Sequence, residues 1–167
     1  MSIKKITAAA FLLSATCAMA TDSPINGTVQ PKCSVYTETQ GVYGNPLPNK
    51  LDTLPASGGT KASIRYDVAQ ANFYLARITH PIAFSSSPTL DDAVAWVGSS
   101  VVGQVSVAAM SDYEAAKVIS PVNVTTFDLT LAGSTWFTVS STATYGYNKA
   151  LPAGNYTAII KADCIAK

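Results

Sequence analysis

The stretch Asn155-Tyr156-Thr157-Ala158-Ile159-Ile160-Lys161-Ala162-Asp163-Cys164 decides the fold class. Tyr156, Ala158, Ile160, Ala162 and Cys164 recur at a spacing of two, with Thr157, Lys161 and Asp163 on the alternate positions. That is the period of a half-buried β-strand, whereas a helix would repeat its apolar face every three or four residues. Pro152-Ala153-Gly154 ahead of it supplies a turn. A cysteine on the inward face of the last strand then needs a partner, and the compartment decides which partner is available.

The chain opens as an exported precursor. Lys4 and Lys5 precede an apolar core from Ala8 to Ala15 that is too short to span a bilayer, and Ala18-Met19-Ala20 has the small-x-small pattern of a cleavage site. Residues 1–20 read as a cleaved signal peptide, with the mature chain starting at Thr21 and Cys17 discarded. Cys33 and Cys164 remain, an even pair in an oxidising compartment, which predicts a disulfide between the first and last strands. Closing a loop of that length contributes at most about 4 to 5 kcal/mol in the chain-entropy model, a figure that native strain and residual structure reduce. The rival reading is two free thiols or a metal pair, for which His80 is the only histidine to complete a zinc set.

Composition agrees with a β protein. Charged residues make up 13% of the chain, about half the usual ~25%, while Thr, Ser, Val, Ala and Tyr abound, which suits pleated, half-buried strands. There are 11 basic and 10 acidic residues, and the signal peptide removes lysines but no acid, so net charge stays near zero. Nothing in that balance attracts nucleic acid or anionic lipid, and no later apolar run is long enough for a membrane span. Partners must be recognised by shape and by strand edges.

The organisation follows from turn chemistry. Ile25 to Gln30 alternates, and Cys33 to Thr39 continues as a strand with Val35 and Thr37 on the side of Cys33. Gly41 to Gly59 is rich in Gly, Pro and Asn and reads as a long crossover with a short edge strand near Leu51 to Leu54. Ala62 to Val68 and Phe73 to Ile78 read as adjacent antiparallel strands. Val94 to Val97 and Val101 to Val107 read as two short strands around Gly98-Ser99-Ser100. Ser111 and Glu114 have the spacing of a capping box for a helix of about two turns ending before Pro121. Val122 to Leu131, Thr135 to Thr144 and Asn155 to Ala166 complete the set. Strands at this spacing predict an all-β, immunoglobulin-like sandwich of one domain over residues 32–167, preceded by an N-terminal strand or donor extension at 21–31.

Two segments carry a resemblance. Gly27-Thr28-Val29-Gln30-Pro31-Lys32-Cys33-Ser34-Val35 resembles the Gly-x-Val-x-x-x-Cys-x-Val opening of bacterial chaperone-usher pilins, and Leu151-Pro152-Ala153-Gly154-Asn155-Tyr156-Thr157-Ala158 resembles their closing Pro-x-Gly-x-Tyr strand. The resemblance implies an incomplete sandwich, held by a periplasmic chaperone, delivered to an outer-membrane usher and polymerised when each subunit's N-terminal strand fills its neighbour's groove. It makes Ile25 and Val29 the apolar pegs and Gly27 the point of close backbone approach between them. The expected location is the periplasm in transit, then a cell-surface fimbria supporting adhesion, with copies of the chain or related subunits as partners.

No residue pattern asks for catalysis. There is no Gly-x-Ser-x-Gly elbow, neither mature cysteine has a histidine placed by local sequence to activate it, and the adjacent Asp91 and Asp92 read as turn residues after Pro88. No enzyme, cofactor or metal is expected. Trp96, Trp136, Tyr145 and Tyr147 read as core aromatics, the contrasting reading being a sugar-binding platform. The expected function is a structural fibre subunit. The alternative is a monomeric secreted or periplasmic binding module, adhesin or lectin-like, with a complete sheet.

Overall fold

Alternation at period two recurs along most of the chain and produces ten strands among the described residues. They are β1 (Cys33–Thr39), β2 (Gly44–Leu47), β3 (Lys50–Asp52), β4 (Ala62–Val68), β5 (Tyr74–Thr79), β6 (Val94–Val105), β7 (Val118–Ile119), β8 (Val124–Leu129), β9 (Gly133–Tyr145) and β10 (Lys161–Ala166). The structure is a computed structural model and describes residues 33–167. The signal peptide expected at 1–20, Cys17, and the strand expected at Ile25–Gln30 with Ile25, Gly27 and Val29 lie outside the described residues.

The strands form two antiparallel sheets, an all-β sandwich as expected. In the first sheet β9 is the spine. One of its edges pairs with β4 over Gly133–Val139 and then with β3 over Thr142–Thr144, and β6 runs along the other edge. β1 lies outside β4, and β2 outside β3. The second sheet has the order β10-β5-β8-β7. Inward residues of both sheets meet in one core of Ile64, Tyr66, Ala76, Ile78, Phe127, Phe137 and Val139. Phe127 and Phe137 pack with ring centroids 4.2 Å apart, and Tyr66 meets Phe137 edge-on at 5.5 Å.

Several local expectations are corrected. β4 and β5 are not paired but belong to different sheets, because Ala62, Ile64, Tyr66 and Val68 face Tyr74, Ala76 and Ile78 across the core. The turn between them crosses over through Asn72, whose φ of 67° is left-handed. The residues around Gly98 form no turn, and β6 runs unbroken through them. Gly98 is required for a different reason: a Cβ there would lie 2.2 Å from Cγ of His80. The capping box does not form. Ser111 donates to the Ala108 carbonyl, Glu114 accepts from the Val102 N–H, and a 3-10 turn (Ala108–Asp112) leads into a four-residue helix α1 (Tyr113–Ala116). The long crossover contains a hairpin, β2–β3, where one short strand is expected. Only the second half of the Asn155–Ala166 stretch joins the ladder, as β10.

Candidate functional site: the seam between the first and last strands

β1 ends the first sheet and β10 ends the second, and the two lie side by side at one edge of the sandwich. Cys33 and Cys164 are joined there, as expected, with their Cα atoms 6.3 Å apart. Behind the disulfide stands Tyr66 of β4, fully buried, whose hydroxyl reaches the carbonyls of Arg77 in β5 at 3.1 Å and Asp163 in β10 at 3.4 Å. Burial holds that phenol far above its ordinary titration range, so it stays a neutral donor tying the two sheets at the rear of the seam.

The disulfide closes one end of the seam. A strand lying between two others needs its neighbours about 9.6 Å apart, well beyond 6.3 Å. Away from the disulfide the walls are Val35 on one side and Ile160 and Ala162 on the other, all apolar, half-buried and packed against the core. Further along, the seam widens into a groove of about 440 Å³ between Val42, Tyr43 and Leu51 on one side and Gly154, Tyr156 and Ala158 on the other. Gly154 has φ +153°, which side chains rarely adopt, and a Cβ there would meet Pro88 at 2.5 Å, so the lip of the groove depends on glycine.

The backbone of this edge is also available. Lys167 donates to the Phe73 carbonyl, and alternation from that bond turns the peptide groups of Ala162, Cys164 and Ala166 away from β5. No described residue pairs with them, nor with the backbone groups of Ala158 to Ile160. Three other sheet edges, those of β2, β6 and β7, are guarded. Along β6, Glu114 accepts from the Val102 N–H at 2.9 Å and Lys117 donates to the Ser100 carbonyl at 3.0 Å, the two side chains also pairing with each other. β2 contains Pro46, and β7 is two residues long. Prolines, charges and shortness are the usual ways of blunting an edge; β10 is six residues long without proline, and its charged residues Lys161 and Asp163 make no bond to its outward backbone.

The aromatic residues do not gather. Of the four expected in the core only Tyr145 is fully buried; its hydroxyl donates to Asp91, which also receives Lys149 at 3.2 Å. Trp96 packs on Phe84, centroids 4.7 Å apart, and Phe84 on Tyr156 at 5.0 Å. Trp136 lies on the outer face of the first sheet, where Arg65 stands over Tyr36 and Trp136 at 4.7 and 5.9 Å. Tyr147 is exposed. Neither one platform nor one core cluster results.

One polar constellation escapes sequence reading. His80 Nε2 lies 3.2 Å from Ser100 Oγ and 3.3 Å from Thr125 Oγ1, residues remote in sequence and joined only by the sheet packing. Ser100 and His80 are 1% and 2% exposed, and His80 Nδ1 has no hydrogen-bond partner, so no carboxylate orients the ring as an activating base requires. The pair is structural. Desolvation lowers the His80 pKa from its ordinary 6.5, and protonation would add an N–H at Nδ1 with nothing to accept it. The unfolded chain therefore binds the extra proton more readily, and stability is expected to fall as pH drops below about 6.5. Melting temperatures of wild type and His80→Gln between pH 7.5 and 5 check this: the wild-type midpoint should fall with acidification and the variant's should stay flatter over that range.

Among the described residues no group of three or more His, Cys, Asp or Glu is gathered for a metal, and no helix is long and apolar enough to cross a membrane. Comparison with protein-family models, curated proteins and solved structures finds no match to this chain.

Proposed function

We propose that the chain is a structural subunit of an exported surface fibre, polymerised by donation of its N-terminal strand into the seam between β1 and β10 of the next copy. The observation that carries this reading is the unguarded β10 edge beside an apolar seam, in a sandwich whose β2, β6 and β7 edges are blunted. Strand addition uses those two elements together: main-chain groups supply affinity, and alternate side chains fill pockets.

The donor fits in length and pattern. Thr21 to Lys32 spans up to about 40 Å when extended, against about 20 Å for the six residues of β10. Ile25, Gly27 and Val29 share one face of an extended segment, suited to the apolar walls at Val35, Ile160 and Ala162. On this reading a periplasmic chaperone would cover the seam before assembly and an outer-membrane usher would organise the exchange, with the disulfide formed in transit.

A synthetic peptide of residues Thr21–Lys32 tests the proposal. Added to the mature chain it should raise the melting temperature and arrest polymer growth, the stabilisation reaching about 2.7 kcal/mol at a hundredfold excess over its Kd. The same peptide with Gly27→Asp should do neither. A chain that stays monomeric, melts independently of concentration and ignores both peptides would instead be the self-complete binding module.

A further inference from the structure

We propose that successive copies also touch end to end, with the exposed ring of Phe73 in one copy seated in an apolar recess beside Ile82 and Ile159 of the next. The inference rests on the strand-donation reading and adds a second, side-chain contact to it.

The recess lies where β5 ends and the approach to β10 begins. It holds about 270 Å³ and is walled by Pro81, Ile82, Phe84 and Ile159, with Lys161 among its lining residues. Ile82 and Ile159 are 69% and 58% exposed. Two large aliphatic side chains left open around one concavity mark a surface suited to an apolar guest. His80 also lines the recess, but it is 2% exposed and its Nε2 is held by Ser100 and Thr125.

The guest is at the other end of the same strand. Phe73 immediately precedes β5 and is 51% exposed, in a turn fixed by left-handed Asn72 and by the bond from the Lys167 N–H to its own carbonyl at 2.9 Å. Knob and recess therefore bracket the six residues of β5, about 20 Å apart along the strand. A contact between opposite ends of identical molecules is heterologous, the type that builds an open filament when its rotation does not close.

Groove polarity brings these two ends together. The seam is pinched at the disulfide and open at Gly154, so the C-terminal end of an inserted strand, which carries the donor's body, must leave through the open end. The open end adjoins the recess, because Ala158 lines the groove and Ile159 the recess. The donor's body arrives with Cys33 foremost. Cys33 pairs with Val68 at the end of β4, and the next turn carries Phe73.

Phe73→Ser and Ile82→Ser test the contact in the full mature chain; both sites are exposed, so folding should be spared. Fibre length at fixed concentration is read by sedimentation and electron microscopy, and binding of the Thr21–Lys32 peptide by the shift in melting temperature. Each variant should shorten fibres about tenfold while peptide binding stays at the wild-type level, and the double variant should be no worse than either single one, since both remove one contact. Wild-type fibre length in either single variant, or multiplied effects in the double variant, would overturn the seat while leaving strand donation intact. Absence of both fibres and peptide response in the wild type would remove donation, and the seat with it.

Discussion

A chain carrying Gly27→Asp is expected to accumulate as a folded monomer and to form no fibre ladder, while Thr28→Asp polymerises almost as wild type. The contrast comes from the period of a strand. Position 27 lies on the face of Ile25 and Val29, and position 28 on the opposite face. On the inward face the side chain would meet half-buried apolar walls, Val35 on one side and Ile160 and Ala162 on the other. Ile25 and Val29 contribute about 1.5 to 3 kcal/mol each when buried. A carboxylate held between them without a partner costs several kcal/mol, enough to cancel both. The same charge at position 28 stays in water. Ladders resistant to mild detergent, compared at equal monomer level, give the readout. If Gly27→Asp polymerises normally, this strand is not the donor.

Period-two alternation made the strands legible, because a one-residue slip would expose every core residue of a strand at once. Ala62–Val68 is recovered residue for residue, and Cys33–Cys164 follows from counting the cysteines that would remain once Cys17 left with the expected signal peptide. Pairing was less legible. β4 and β5 are consecutive and both alternate, yet the sequence does not say whether a short connection turns within a sheet or crosses between sheets. Gly98 shows a second limit: glycine marks a turn or a close approach with equal force, and only the packed position of His80, in contact range of Gly98 Cα, distinguishes them. The failed capping box is a third. Glu114 has the right spacing, but the unpaired Val102 N–H on the β6 edge competes for the carboxylate.

The site divides along the same line. The face of Ile160, Ala162 and Cys164 could be read from alternation, and so could Val35 beside Cys33. That these two faces form the walls of one seam could not, because β1 and β10 are brought together by the topology of two sheets and not by any local pattern. The signal available in advance was the disulfide itself: a bond between inward cysteines of the first and last strands places the neighbouring apolar residues opposite one another. The groove at Gln40–Tyr43 and the recess at Ile82 had no such marker, since their residues lie in connections whose path is set by distant contacts such as the hydrogen bonds between Ser86 and Thr157.

Replacing both cysteines, Cys33→Ser with Cys164→Ser, is expected to lower the stability of the monomer by about 2 to 4 kcal/mol. The bond spans a sequence separation of 131 residues, long enough that the unfolded chain gains considerable freedom when it is removed. The folded state loses something as well. β1 and β10 belong to different sheets and share no ladder, so among the described residues the covalent link is joined at this edge by the Tyr66 hydroxyl and the apolar contacts of Val35, Ile160 and Ala162. At about 2 to 4 °C per kcal/mol for a domain of this size, the melting temperature should fall by about 10 °C. Both cysteines must be changed, because a single replacement leaves a reactive thiol that confuses the measurement. On the proposed strand-donation reading the loss should be smaller in assembled fibre, where a donated strand would pair with the β10 edge and hold the seam by other means. Thermal unfolding of monomer and fibre, each with and without the cysteines, separates the two contributions. A monomer that melts within about 2 °C of wild type would show that Tyr66 and the apolar walls hold the seam without the bond, and equal losses in monomer and fibre would show that nothing enters it.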